Sequence, residues 1–232
     1  MSQRNLWMTF RFPSGLKNNR KMDDDLLARR RQQMVDTQIR ARGIRDARVL
    51  AAMERVPRHL FVREADRGLA YGDHPIAVGF GQTISQPYIV AYMTDELALP
   101  IGARVLEVGT GSGYQTAVLA ELADEVYTIE IVPELAEQAA RVLESLGYRN
   151  IHARFGDGYG GWPEQAPFDG IIVTAAPDHI PPPLLTQLAI GGHIAVPIGR
   201  VEQDLIVFTN TPEGLREKSR LPVRFVPLTR SH

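Results

Sequence analysis

The sequence predicts an α/β protein built on a doubly wound, mostly parallel, seven-stranded sheet of Rossmann-like form, with N-terminal helices and an antiparallel edge. Three observations carry this expectation. From residue 88 onward, short apolar runs alternate with segments of helical periodicity, the pattern of a sheet with helices on both faces. Residues 104–108 form a strand-like run that enters closely spaced glycines and then a helical segment, the strand-turn-helix unit of open α/β folds. Toward the C-terminus the apolar runs are joined by connections too short for a crossover helix, which makes those neighbours antiparallel.

Taken in order, residues 1–21 carry basic residues, no acid and little periodicity, and are expected to form a poorly ordered tail or to precede a start at Met22. Residues 22–232 are expected to form one domain, divided into N-terminal helices and a loop (22–87) and the Rossmann-like core (88–232). Over residues 23–53, Leu27, Met34, Val35 and Ile39 recur at near 3.6-residue spacing; after Gly43 a second helix is capped by Asp46, turns Val49, Leu50 and Met53 inward, and stops at Pro57. Residues 59–87 are interrupted by Gly72, Pro75, Gly79 and Gly81, which predicts a long ordered loop or small-strand region of the kind that carries sites. Helices are expected at 88–97, 114–122 and 134–146, the last with Pro133 at its first position and Gly147 just past its end, and near 184–188. Strands are expected at 104–108, 126–131, 151–155, 170–174, 193–198, 204–209 and near 223–226.

A chain of 232 residues can bury one substantial core, and its composition, 44% hydrophobic and 23% charged, is that of a globular protein. A formal net charge of -1 argues against a partner that presents a phosphate backbone, so no nucleic acid is expected. There is no cysteine, which excludes disulfides, a thiolate nucleophile and thiolate metal sites. The six histidines show no ligand spacing, so no metal is expected. No run approaches the roughly 20 apolar residues that span a bilayer and no secretory pattern opens the chain. A cytoplasmic address with no membrane partner is therefore expected, and a monomer.

The segment Glu107-Val108-Gly109-Thr110-Gly111-Ser112-Gly113 lets a ligand approach bare backbone at the N-terminus of a helix, where amides favour anionic groups. Dinucleotides and S-adenosyl-L-methionine both use such a turn. The dinucleotide fingerprint would place its third glycine at position 114, where Tyr114 stands, and this favours S-adenosyl-L-methionine. Glu130 ends the second core strand about 20 residues on, where a carboxylate can accept both hydroxyls of a ribose. Asp157, within Gly156-Asp157-Gly158 after the third, is a candidate acceptor for the adenine amino group; each acid could alternatively be an ordinary surface or turn residue.

The run Gly81-Gln82-Thr83-Ile84-Ser85-Gln86-Pro87-Tyr88, ahead of a helix and then of that glycine loop, closely resembles the protein-L-isoaspartate O-methyltransferases, a family of class I S-adenosylmethionine-dependent methyltransferases. Further resemblance lies at residues 34–39, 56–62, 156–158, 173–177, 191–199 and 225–228, so that it covers nearly everything from Arg29 to Thr229. The Thr-Ile-Ser-Gln-Pro motif is specific, whereas the glycine loop is shared by many unrelated methyltransferases. The resemblance implies methyl transfer from S-adenosyl-L-methionine, leaving S-adenosyl-L-homocysteine, to the α-carboxylate of L-isoaspartyl residues in damaged proteins.

Carried over residue by residue, the resemblance implies that Ser85 is the active-site serine and touches the substrate. Thr83 and Ile84 flank the methyl-transfer site. Glu107, Gly109, Thr110, Gly111, Ser112 and Gly113 form the cofactor loop; Glu130 with Ile131 receives the ribose, and Gly156, Asp157 and Gly158 the adenine side. Val226 and Thr229 belong to the segment that closes over peptide and cofactor. Ser85 could alternatively, or in addition, cap the helix before Pro87. The rival readings are a class I methyltransferase acting on a small molecule or RNA, and a non-catalytic module that binds isoaspartyl peptides or adenosyl ligands.

Overall fold

The computed structural model describes the backbone of residues 15–230 and the side chains from Asp25 on, so the tail expected over residues 1–14 lies outside the described residues. Helix α1 (Gly15–Met34) takes in residues 15–21, which the sequence reading had assigned to that tail. It continues through a wider π turn (Val35–Ile39) and a 3-10 turn, and stops at Gly43, whose φ of 100° is left-handed. The π turn buries Val35 and Ile39 together. Helix α2 (Ala47–Arg55) is capped as expected, the Asp46 carboxylate accepting from the Arg48 amide at 2.7 Å. The loop that follows contains a small antiparallel pair, β1 (Ile76–Gly79) and β2 (Gln82–Ile84), with Ile76 opposite Ile84. This hairpin hands Thr83, Ile84 and Ser85 to the start of α3 (Pro87–Glu96).

The main sheet has seven strands: β3 (Arg104–Val108), β4 (Glu125–Glu130), β5 (Ile151–Phe155), β6 (Phe168–Val173), β7 (Leu188–Ile198), β8 (Gln203–Thr211) and β9 (Gly214–Val223). Their spatial order is β5-β4-β3-β6-β7-β8-β9. Pairings from β5 to β7 are parallel, and β8 and β9 close the sheet antiparallel. The crossover helices are α4 (Tyr114–Ala120) and α5 (Pro133–Ser145), and a single turn, α6 (Pro182–Leu185), precedes β7.

Two expectations at the C-terminal end need correction. The last strand is Gly214–Val223, not residues near 223–226. Its alternating side chains are mostly exposed and charged, so it lacks the apolar run that marks an inner strand, and cross-strand pairs such as Arg220 with Asp204 at 2.8 Å join it to β8. Residues 226–228 instead leave the sheet and lie beside Ala176, which donates to Val226 O at 2.8 Å and accepts from the Leu228 amide at 2.9 Å. The helix expected at 184–188 is shorter and earlier, because β7 already begins at Leu188.

Alternation along β3 divides the core. Leu106 and Val108 face a cluster with Ile129, Phe168, Val173 and Leu184, while Val105 packs with Met93, Leu97, Leu119 and Val126 on the other side. The N-terminal layer joins α4 and α5 in a third cluster, where Met34, Val49 and Met53 meet Tyr114, Leu135 and Leu143. Arg58 is fully buried there; its Nε donates to Ala70 O at 2.7 Å, its guanidinium lies 4.9 Å from the centre of the Tyr114 ring, and burial lowers its pKa to about 10.

Candidate active site

The chain runs from β3 to β4 and β5 on one side and then returns to β6 on the other, so β3 and β6 flank the point where the winding reverses. Ligands of open α/β sheets sit outside the strand ends at such a point. The glycine loop leaves β3 there. Gly109 has a φ of 98°, and a Cβ on it would overlap the Thr174 hydroxyl, which donates to Gly109 O at 2.5 Å and so ties the end of β6 to the loop. Gly111 also has a positive φ, of 54°, but a Cβ there would meet nothing within 4 Å: its backbone borders open space.

That space is an open cleft. Of the residues expected at the site, Thr83, Ile84, Ser85, Gly109, Thr110, Gly111, Ser112, Glu130, Ile131, Gly158, Val226 and Thr229 line it. Glu130 is its one charged lining residue. The carboxylate is largely buried; Oε2 accepts from the Gly111 amide at 2.7 Å and Oε1 from the Val132 amide at 2.9 Å. A carboxylate offers about four acceptor positions, so each oxygen keeps one for a hydroxyl in the cleft. A bare-backbone loop beside a fixed acceptor fits the ribose and the adjoining chain of an adenosyl group.

Ser85 does not cap α3, whose N-cap is Gln86 and which has no side-chain cap bond. Its place is the junction of two clefts. The second shares Thr83, Ser85, Thr174 and Val226 with the first and continues along residues 222–225.

Four expected residues lie elsewhere. Glu107 shares the Val105 face of β3, which turns it away from the cleft and into the core, where it has no exposed surface. Its Oε2 accepts from Thr116 Oγ1 at 2.5 Å and Thr128 Oγ1 at 2.7 Å, Oε1 has no partner, and burial raises its pKa to about 8. Thr128 is 2.6 Å from Thr110 Oγ1, so Glu107 supports the loop from below. Gly113 packs against α5, where a Cβ would come within 3.1 Å of Ala139 Cβ. The Gly156 amide donates to Glu130 O at 2.8 Å, behind the cleft wall. Asp157 caps the following turn, accepting from the Tyr159 amide at 2.9 Å, and pairs with Arg230 at 3.2 Å.

Thr174, Gln115 and Ala175 on the cleft wall carried no expected role. Thr174 follows β6 directly, and the rule that ligands sit outside strand ends at the reversal point could have found it. Gln115 lies inside a helix with a buried amide that donates to Thr94 Oγ1 at 2.9 Å, and no motif or periodicity marks it.

The doubly wound sheet, the glycine loop at its reversal point and the acid at the end of β4 define a class I methyltransferase. The chain belongs to the protein-L-isoaspartate(D-aspartate) O-methyltransferase family, whose sequence model matches residues 29–232. It is 59% identical over 198 residues to the protein-L-isoaspartate O-methyltransferase of Picosynechococcus sp., covering 85% of this chain and 89% of the relative. The enzyme of that name from Gloeobacter violaceus is 58% identical over 199 residues, covering 85% and 97%. A solved protein-L-isoaspartate O-methyltransferase superimposes with a TM-score of 0.78 at 30% identity, covering 84% of this chain and 65% of that one. A Plasmodium falciparum beta-aspartate methyltransferase, crystallised in complex with S-adenosyl-L-homocysteine, gives a TM-score of 0.74 at 26% identity, covering 87% and 99%.

Proposed function

We propose that this chain transfers the methyl group of S-adenosyl-L-methionine to the free α-carboxylate of L-isoaspartyl residues in damaged proteins. The observation that carries the reading is the position of Ser85, at the meeting of a cleft with one acidic lining residue, Glu130, and a cleft with one basic lining residue, Arg224. A cationic donor suits the first, and a peptide that carries negative charge suits the second.

Bound in the first cleft, S-adenosyl-L-methionine supplies an electrophilic methyl group on a sulfonium. Gly109, Thr110, Gly111 and Ser112 would hold it along the loop, Glu130 would accept its ribose hydroxyls, and Thr229 would close over it. The acceptor needs no base, since an α-carboxylate with a pKa near 3.5 is already ionised at neutral pH. Ser85 would donate a hydrogen bond to one carboxylate oxygen and leave the other free to attack in line. Thr83 and Ile84 would keep water from the path, with Val226 against the peptide. Such positioning can supply up to roughly 7–11 kcal/mol of a barrier. Esterification converts a carboxylate oxygen, which cannot leave, into a methoxy group that can. The neighbouring backbone nitrogen attacks the ester carbonyl, the carbon–methoxy bond breaks, methanol is released and a succinimide closes without the enzyme. Its hydrolysis returns some normal aspartate.

The test is incubation with radiolabelled methyl donor and matched peptides containing L-isoaspartate or L-aspartate. Base-labile label on the isoaspartyl peptide alone is expected; label on both, or on neither, overturns the reading. Residues 22–232 as one domain, a monomeric state and a cytoplasmic address belong to the same proposal. The first is supported by the cluster that joins the N-terminal helices to α4 and α5. Among the described residues no helix is long and apolar enough to cross a membrane.

A further inference from the structure

Arg224 is the one charged side chain lining the second cleft, among neutral neighbours such as Pro75, Ile89, Phe225 and Val226. It is exposed, and among the described residues it takes part in no ion pair and no hydrogen bond to an acid. By contrast, Arg42 pairs with Asp73, Arg220 with Glu217 and Asp204, and Arg230 with Asp157. An arginine kept free in an otherwise uncharged groove is a ready partner for a carboxylate, which its planar fork can hold in two parallel hydrogen bonds.

Arg224 lies two residues before Val226, which lines both clefts at the junction with Ser85. Two residues of chain span at most about 7 Å, close to the spacing between side chains two residues apart on one face of an extended peptide. A guanidinium clamped on the attacking carboxylate would also tie up the lone pairs needed for methyl transfer, whereas the neutral Ser85 hydroxyl leaves one oxygen free. Both points direct Arg224 to a neighbour of the acceptor instead of the acceptor itself.

We propose, resting on the isoaspartyl reading of the site, that Arg224 is a specificity residue that favours acceptor peptides carrying an acidic side chain within two residues of the isoaspartate. No acid lines the groove to repel such a side chain. Aspartate and glutamate neighbours then raise kcat/KM through KM, and lysine neighbours lower it.

The test uses the full chain and isoaspartyl hexapeptides that differ only in Glu, Gln or Lys at one position, either one or two residues from the acceptor, on either side. Wild type should show a kcat/KM about two- to fivefold higher for the Glu peptide than for the Gln peptide on at least one side, with the advantage shrinking as salt is raised. Arg224→Gln should abolish the ratio, Arg224→Lys should keep most of it, and Arg224→Glu should reverse it in favour of the Lys peptide. Because the readout is a ratio within one variant, partial loss of folded protein cancels. Equal rates for all peptides in wild type, or an unaltered ratio in Arg224→Gln, overturn the assignment of Arg224 while leaving isoaspartyl methylation standing. Absence of label on every isoaspartyl peptide overturns both.

Discussion

The Glu130 carboxylate accepts a hydrogen bond from the Gly111 amide at 2.7 Å, so the acid that ends β4 also holds the glycine loop that follows β3. Two strand ends are thereby joined at the mouth of the cleft, before any ligand is considered. Glu130→Ala is therefore expected to act twice. Charge-assisted hydrogen bonds are worth about 1.5–3 kcal/mol each, so losing even one to the ribose should weaken S-adenosyl-L-homocysteine by at least about tenfold. The ligand-free protein should also melt lower, because the Gly111 and Val132 amides lose their acceptor. Calorimetric titration and thermal melting on one sample check both; unchanged affinity removes the ribose role, and an unchanged melting temperature removes the role in the loop.

Ser85→Ala should lower single-turnover methylation of an isoaspartyl peptide by about tenfold or more, consistent with loss of one hydrogen bond to a charged acceptor. Its melting temperature should stay close to wild type, since Ser85 is not the N-cap of α3. A mutant that melts lower yet methylates at the wild-type rate would show a structural serine, not a catalytic one.

Glu107 makes stability depend on pH. Its pKa rises from 4.5 in the unfolded chain to about 8 in the fold, so the folded state holds the proton more tightly. Its contribution is fully present below about pH 4.5 and is lost as pH rises through about 8, a change on the order of 4 kcal/mol across the window. Glu107→Gln should flatten this part of the curve. Its overall level should fall, because the partnerless position of Oε1 offers nothing to an amide NH₂. Urea unfolding of both proteins from pH 5 to 8.5 measures the difference in slope; parallel curves would remove Glu107 as its source.

Gly109→Ala should be among the more damaging single changes. A side chain at φ 98° is strained, by about 1–3 kcal/mol, and its Cβ would also overlap the Thr174 hydroxyl. Adding Thr174→Ala should restore part of the loss by removing the overlap while the backbone strain remains. Full additivity of the two substitutions in a double-mutant cycle would show that the contact does not matter.

Much of this protein was legible in the chain alone. Alternating apolar periodicity predicted the parallel strands and their helices, because inner strands buried on both faces must be apolar whatever surrounds them. The glycines of the loop and Glu130 at a strand end were legible because their chemistry is local, the Thr83 to Pro87 motif through its resemblance to the family, and residues of all three line one cleft. What only the tertiary structure decided is what depends on facing and pairing. Strand β9 is charged and exposed, and cross-strand contacts with β8 define it where its own sequence pattern does not. Glu107 belongs to the cofactor motif, yet the two-residue alternation of β3 sends it into the core to two threonines from other elements. Asp157 follows its strand as expected, but its carboxylate is engaged by Tyr159 and by Arg230, 73 residues away. The junction at Ser85 and the free charge of Arg224 arise where β1–β2, β6 and residues 222–226 converge, and such convergence of distant segments leaves no periodicity in a sequence.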